Sequence, residues 1–183
     1  MTHLTDKLIA LGETGQRPCS DAVEWCRQYD SLPAAWAVCQ RGDWMLWLAG
    51  RLAGPKWSLA RRPLVRAAAE CAMLELPYAR DEWVAGIALA TCQTAVAWSE
   101  GEASDEDVQD ASDAAAADAD TAATTHAAYA AYAAYAADAA AYAAYVAAYA
   151  AAYAAADAAA ARDCVLSRCA DIVRAIIPCP VLL

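Results

Sequence analysis

Phenylalanine is absent from this 183-residue chain, histidine occurs twice, and no Lys or Arg appears anywhere between residues 81 and 161. Neither His3 nor His126 neighbours a Ser or Cys in a nucleophile motif, and there is no Gly-rich phosphate loop and no H-E-x-x-H. With those signatures missing, the sequence reads as a non-enzyme. The eight cysteines contain no C-x-x-C and have no His at ligand spacing, so neither a metal site nor a cofactor is expected. The N-terminus lacks a basic stretch followed by a long apolar core, so no signal peptide is expected. In an unsecreted chain scattered cysteines read as small buried hydrophobes, and a cytoplasmic location follows.

The missing cations divide the chain. Residues 1–80 hold ten Lys/Arg against eight Asp/Glu, whereas residues 81–161 hold thirteen acids and no base; the whole chain carries −10. Phosphate backbones need cations, so nucleic acid is disfavoured as a ligand. A basic protein would be attracted and steered instead. The same acids also keep an apolar helical chain dispersed.

Gly and Pro are missing from residue 102 until Pro178. Within that span, residues 127–161 consist almost wholly of Ala and Tyr with two Asp. Alanine is the best helix former, so this segment is predicted to be helical, roughly 50 Å long at 1.5 Å per residue. Its tyrosines stand at 129, 132, 135, 142, 145, 149 and 153, with Asp138 filling the gap in the series. The mean spacing of about 3.4 lies nearer a coiled-coil repeat than a straight helix and implies winding against a partner helix. The stripe is either the large side chains of a bundle core or a recognition face, for which tyrosine offers wide contact area at low entropic cost. A span of the membrane is not expected: the run far exceeds the ~20 residues required and has no flanking cations.

Along the rest of the chain every element has helical period. Thr5 to Leu11 offers a short amphipathic turn or helix ended by Gly12 and Gly15; Ser20 is the expected cap of 21–29; Ser31 with Pro33 starts a helix that carries Trp36 and Cys39 and stops at Gly42. Asp43 is expected to cap 44–54, with Trp44, Met45, Leu48 and Leu52 as its apolar face, before Gly54-Pro55 breaks it. In that reading the RGD at 41–43 is a helix stop followed by a cap. Ser58 opens a helix through roughly Glu75, with Arg61, Arg62 and Arg66 outward and Leu64, Val65, Cys71 and Leu74 inward. Asp81 begins another, anchored by Trp83, Ile87 and Trp98 and stopped by Gly101. Ser104 caps the next, with three acids in its first turn. A single helix over 104–177 would be about 110 Å long, so a bend or hairpin is expected at 118–126. The last helix, 162–177, has Leu166, Cys169, Val173 and Ile176 as its core face, and Arg162, Arg168 and Arg174 complement its C-terminal dipole. Five of seven tryptophans (25, 36, 44, 47 and 57) place the core between 25 and 57.

The fold class is therefore all-α: a Trp-rich multi-helix unit over 1–100, with a long Ala/Tyr-rich helix or hairpin over 101–183 packed on it. Five segments carry a resemblance: LPAAWAVCQRGDWMLWLAGRLAG (32–54), AAAECAMLELPYA (67–79), AWSEGEAS (97–104), the Ala/Tyr repeat and CADIVRAIIP (169–178). Over most of 19–178 the chain resembles a family described as immunity proteins, found in bacteria and in phages of actinobacteria. The W-x-x-C-x-R-G-D-W-M-L-W-L string is the specific part of the match. The resemblance implies an all-helical protein associated with toxin systems, without a catalytic motif to carry over.

Two readings follow. In one, Tyr135, Asp138, Tyr142, Tyr145, Tyr149 and Tyr153, joined by the acids of 105–120, cover the active site of a basic toxin. In the other, the stripe is structural and mediates self-association or an intramolecular hairpin.

Overall fold

The computed structural model describes residues 3–11, 17–74, 76, 82–122 and 159–182. The tyrosine stripe with Asp138, His126 and the choice between one helix and a hairpin all lie outside the described residues, as do Gly12, Gly15, Pro77, Asp81 and the side chains of Trp83 and Arg162.

Among the described residues there are eight α-helices and no strand, so the fold is all-α as expected. They are α1 (Leu4–Leu11), α2 (Ser20–Cys26), α3 (Leu32–Val38), α4 (Gly42–Leu52), α5 (Arg62–Met73), α6 (Glu82–Glu100), α7 (Asp105–Ala122) and α8 (Ala159–Ile176). A 3-10 turn, Leu59–Arg61, leads into α5.

Helix α5 is central because it is narrow. Ala67, Ala68 and Ala69 are all buried, and three consecutive buried residues must face more than one neighbour. Their methyls let α6 and α8 approach on different sides, while α8 also packs on α4 and α7 on α6. Leu46, Leu64, Val65, Leu166 and Val173 fill the space between α4, α5 and α8. Burying each such side chain contributes about 1.5–3 kcal/mol.

Gly42 marks the tightest helix contact. It is the first residue of α4, not the end of α3, which stops at Val38. A Cβ built there would lie 2.4 Å from the Cys169 Cβ and 2.8 Å from the Ala170 nitrogen of α8. Glycine at this position serves the approach of two helices. Asp43 is correspondingly not a cap: Arg41 occupies that position, and the buried Asp43 carboxylate is forked by it, Nε to Oδ1 at 2.8 Å and Nη2 to Oδ2 at 2.5 Å.

Long-range polar contacts tie the C-terminal segment to the N-terminal part of the chain. Arg174 Nη1 of α8 donates to the carbonyls of Cys39 (2.5 Å) and Trp36 (3.3 Å) at the end of α3, where helix carbonyls lack partners. Arg174 thus serves the dipole of another helix. Lys7 Nζ on α1 donates to the Leu182 carbonyl at 3.1 Å.

Four further expectations are corrected. Arg61 is buried, its Nε donating to the Gly54 carbonyl at 2.8 Å across the preceding turn. Leu52, in the last turn of α4, is exposed, while Leu46 is fully buried because α5 and α8 adjoin α4 on two sides. Ser20 is the first residue of α2, and its cap position is held by Cys19. Finally, Trp25, Trp44, Trp47 and Trp57 are only partly buried, with Trp36 and Trp98 enclosed. The space between α4, α5 and α8 is filled by Leu, Val and small side chains, and most of these rings settle at the edge of the core.

Candidate functional site

The acidic half of the chain becomes a defined surface at the α6–α7 junction. Gly101, at φ +86°, ends α6 in a left-handed residue: its N–H donates to Trp98 O at 3.0 Å, and the next N–H, of Glu102, donates to Ala97 O at 2.8 Å. That double bond is a Schellman ending, which a residue with a Cβ adopts poorly. Ser104 then opens α7. Its hydroxyl accepts from Asp107 N at 3.1 Å, and Asp107 Oδ2 accepts from Ser104 N at 2.7 Å, so cap and first turn satisfy each other. The Ser104 hydroxyl and amide hold the Asp107 carboxyl below its ordinary value.

The junction is pinned from beneath. Trp98 Nε1 donates to Asp105 Oδ1 at 2.6 Å, and the Trp57 ring meets Trp98 edge-on at 5.4 Å. Trp57 has φ 61°, a left-handed conformation strained for so bulky a residue, and it is held between Lys56 and Trp98. Inward, α7 buries Val108 and Ser112; outward, Glu102, Glu106, Asp110 and Asp113 are exposed. Glu100 pairs with Arg66 at 3.3 Å. Glu106 and Asp110 have no cationic partner among the described residues.

A second feature lies on the far side of α4, where α1, α2 and α3 enclose a cleft of about 310 Å³. Trp25, Trp36, Trp44 and Trp47 line it, with Met45 and Leu48. The Trp25 ring packs against Tyr29 (4.6 Å) and Trp44 (5.9 Å), and the Arg41 guanidinium lies 4.3 Å from the Trp44 ring centre. Cys19, Cys26 and Cys39 also reach the wall. Burial pushes the Cys26 thiol up to about 11, with Cys39 adding to it, and burial raises Cys39. Both are neutral thiols at pH 7, poor as nucleophiles. Trp44 Nε1 and Trp47 Nε1 are buried without an acceptor among the described residues.

Of the residues expected to form a site, the acids of 105–113 are placed and exposed, and the tyrosines lie outside the described residues. The cleft was missed because its tryptophans read as core. The two helices that carry Trp25 and Trp36 have only seven residues each in the structure, shorter than their sequence suggests, and so enclose the indoles incompletely. Among the described residues no group of three or more His, Cys, Asp and Glu could hold a metal ion, and no helix is long and apolar enough to cross a membrane.

Compared with protein-family models, curated proteins and solved structures, the chain matches none.

Proposed function

We propose that this chain is a non-catalytic cytoplasmic protein that binds and neutralises a basic protein toxin. The residues proposed for the contact are the acids of 105–120 together with Tyr135, Asp138, Tyr142, Tyr145, Tyr149 and Tyr153. The observation that carries this reading is the rigid presentation of exposed acids from Glu102 to Asp113 on a capped helix, Glu106 and Asp110 without a described counter-ion. Two helix-end motifs and the Trp98–Asp105 bond hold that surface in place before any partner arrives, which lowers the ordering cost of association. Unneutralised surface charge speeds encounter with a partner of opposite sign. The resemblance to immunity proteins supplies the toxin as the class of partner.

The test compares the wild type with Glu106→Lys/Asp110→Lys and with a variant in which Tyr142, Tyr145, Tyr149 and Tyr153 are all Ala. Captured partners are identified by mass, then purified and titrated at low and high salt. The expected result is a basic partner whose association slows with the charge reversal and is lost with the tyrosine variant, both variants melting as the wild type does. Salt-independent binding, or binding unchanged in both variants, refutes the reading. If the tyrosine variant instead unfolds or changes mass by light scattering, the stripe is structural and the protein is a self-associating helical scaffold.

A further inference from the structure

The cleft between α1–α3 and α4 is far from the acidic junction in sequence and opposite to it in charge. Its ionisable lining consists of Arg17, Arg41 and Asp43, together with thiols. Arg41 and Asp43 neutralise each other through their forked pair. Arg17 is exposed and has no ion-pair partner among the described residues. In a chain of net charge −10, this apolar cleft has at its edge one positive charge, Arg17, that is unpaired among the described residues. The Trp44 face, the natural seat for a cationic ligand, is already taken by Arg41.

From this lining the geometry points to a binding site for a small planar aromatic carboxylate, its ring among Trp25, Trp36 and Trp47 and its carboxylate at Arg17. The volume of about 310 Å³ is at the low end for small-molecule sites, which run roughly from 300 to 1,000 Å³, and it suits one ring system rather than a peptide helix. Indole walls favour an aromatic guest through offset and edge-to-face stacking. Arg17 supplies the fork geometry that suits a carboxylate. The protonated Cys26 and Cys39 thiols add no negative charge to the wall. The Trp44 and Trp47 indole N–H groups are buried, so recognition comes from the ring faces and Arg17.

The probe is 2-naphthoate, titrated into the full-length protein by calorimetry and by tryptophan fluorescence, beside the neutral 2-naphthamide and the cationic 2-naphthylmethylammonium. Two variants accompany it: Arg17→Gln, which removes the charge at an exposed position, and Ala22→Phe, which fills the cleft from α2. Circular dichroism on both variants checks that they are folded. The expected result is saturable 1:1 binding of the carboxylate, about tenfold weaker in Arg17→Gln as befits loss of one charged hydrogen bond, and absent in Ala22→Phe. Failure of 2-naphthoate to bind the wild type, or binding that survives Ala22→Phe, overturns the site. Equal or tighter binding of the amide or the ammonium compound, or no effect of Arg17→Gln, overturns the assignment of a carboxylate.

Discussion

Replacing Gly42 by Ala tests the central helix contact. The added methyl would meet the Cys169 Cβ at 2.4 Å, the Cys169 carbonyl carbon at 2.8 Å and the Ala170 nitrogen at 2.8 Å. Carbon atoms pack best about 3.5–4.0 Å apart, so α4 and α8 would have to separate by about an ångström. Two of the three obstructing atoms are backbone in the middle of an 18-residue helix and cannot turn aside. Separation would loosen the packing of Met45 and Leu46 against α8 and strain the Arg174 bonds to the end of α3. Overpacking of this kind costs about 1–3 kcal/mol and sometimes more. Alanine's helix propensity returns at most about 1 kcal/mol. The expected net loss is about 1–3 kcal/mol, read from urea unfolding followed by circular dichroism. Gly86→Ala is the matched control. Gly86 is exposed within α6, with nothing within 4 Å of an added Cβ, so the same exchange should stabilise by up to about 1 kcal/mol. Opposite signs for the two substitutions support the description. A Gly42→Ala protein as stable as the wild type would refute the close approach of α4 and α8.

The remaining predictions concern polar ends and buried thiols. Arg174→Met keeps much of the side-chain volume but strands the Cys39 and Trp36 carbonyls; a loss of about 1.5–3 kcal/mol in urea unfolding is expected, and a change below about 0.5 kcal/mol would contradict the contact. Ser104→Ala removes the cap of α7 and should cost about 1 kcal/mol by thermal unfolding, with amide exchange rising first in the opening turn of that helix. Burial pushes the Cys92 thiol up to about 12, whereas in the unfolded chain it ionises near 9. Above pH 9 the unfolded state therefore binds fewer protons than the folded one, so this contribution is fully present below pH 9 and is lost as pH rises towards 12, with a slope of at most about 1.4 kcal/mol per pH unit. Cys92→Ala should flatten the decline of Tm between pH 9 and 11 relative to wild type, and parallel curves would rule this account out.

Features decided within a few residues were legible in the sequence. Ser31 receives the Ala34 N–H, Ser104 and Asp107 cap each other, and Gly101 and Gly54 take positive φ at the ends of α6 and α4. Each depends on backbone geometry that spans about one helical turn, so residue type and spacing suffice to read it. Leu64, Val65, Leu166, Cys169 and Val173 were equally readable as buried, because helical period selects a face.

Period selects a face but does not say what covers it, and that was left to the tertiary structure. Gly42 looked like a stop because its reason for being glycine lies in Cys169 and Ala170, more than a hundred residues along the chain. Arg174 read as a complement to the dipole of its own helix, whose last turn it occupies; only the fold shows that it also donates to carbonyls at the end of α3, 135 and 138 residues away. The tryptophans of 25–57 looked like core, yet four of the five are only partly buried, and Trp25, Trp36, Trp44 and Trp47 line a cleft. Amino-acid order by itself determined which segments are helical, where most of them end and where the negative charge lies. Which helices touch, and hence which side chains remain free to meet a ligand, was decided by steric fit between segments distant in sequence.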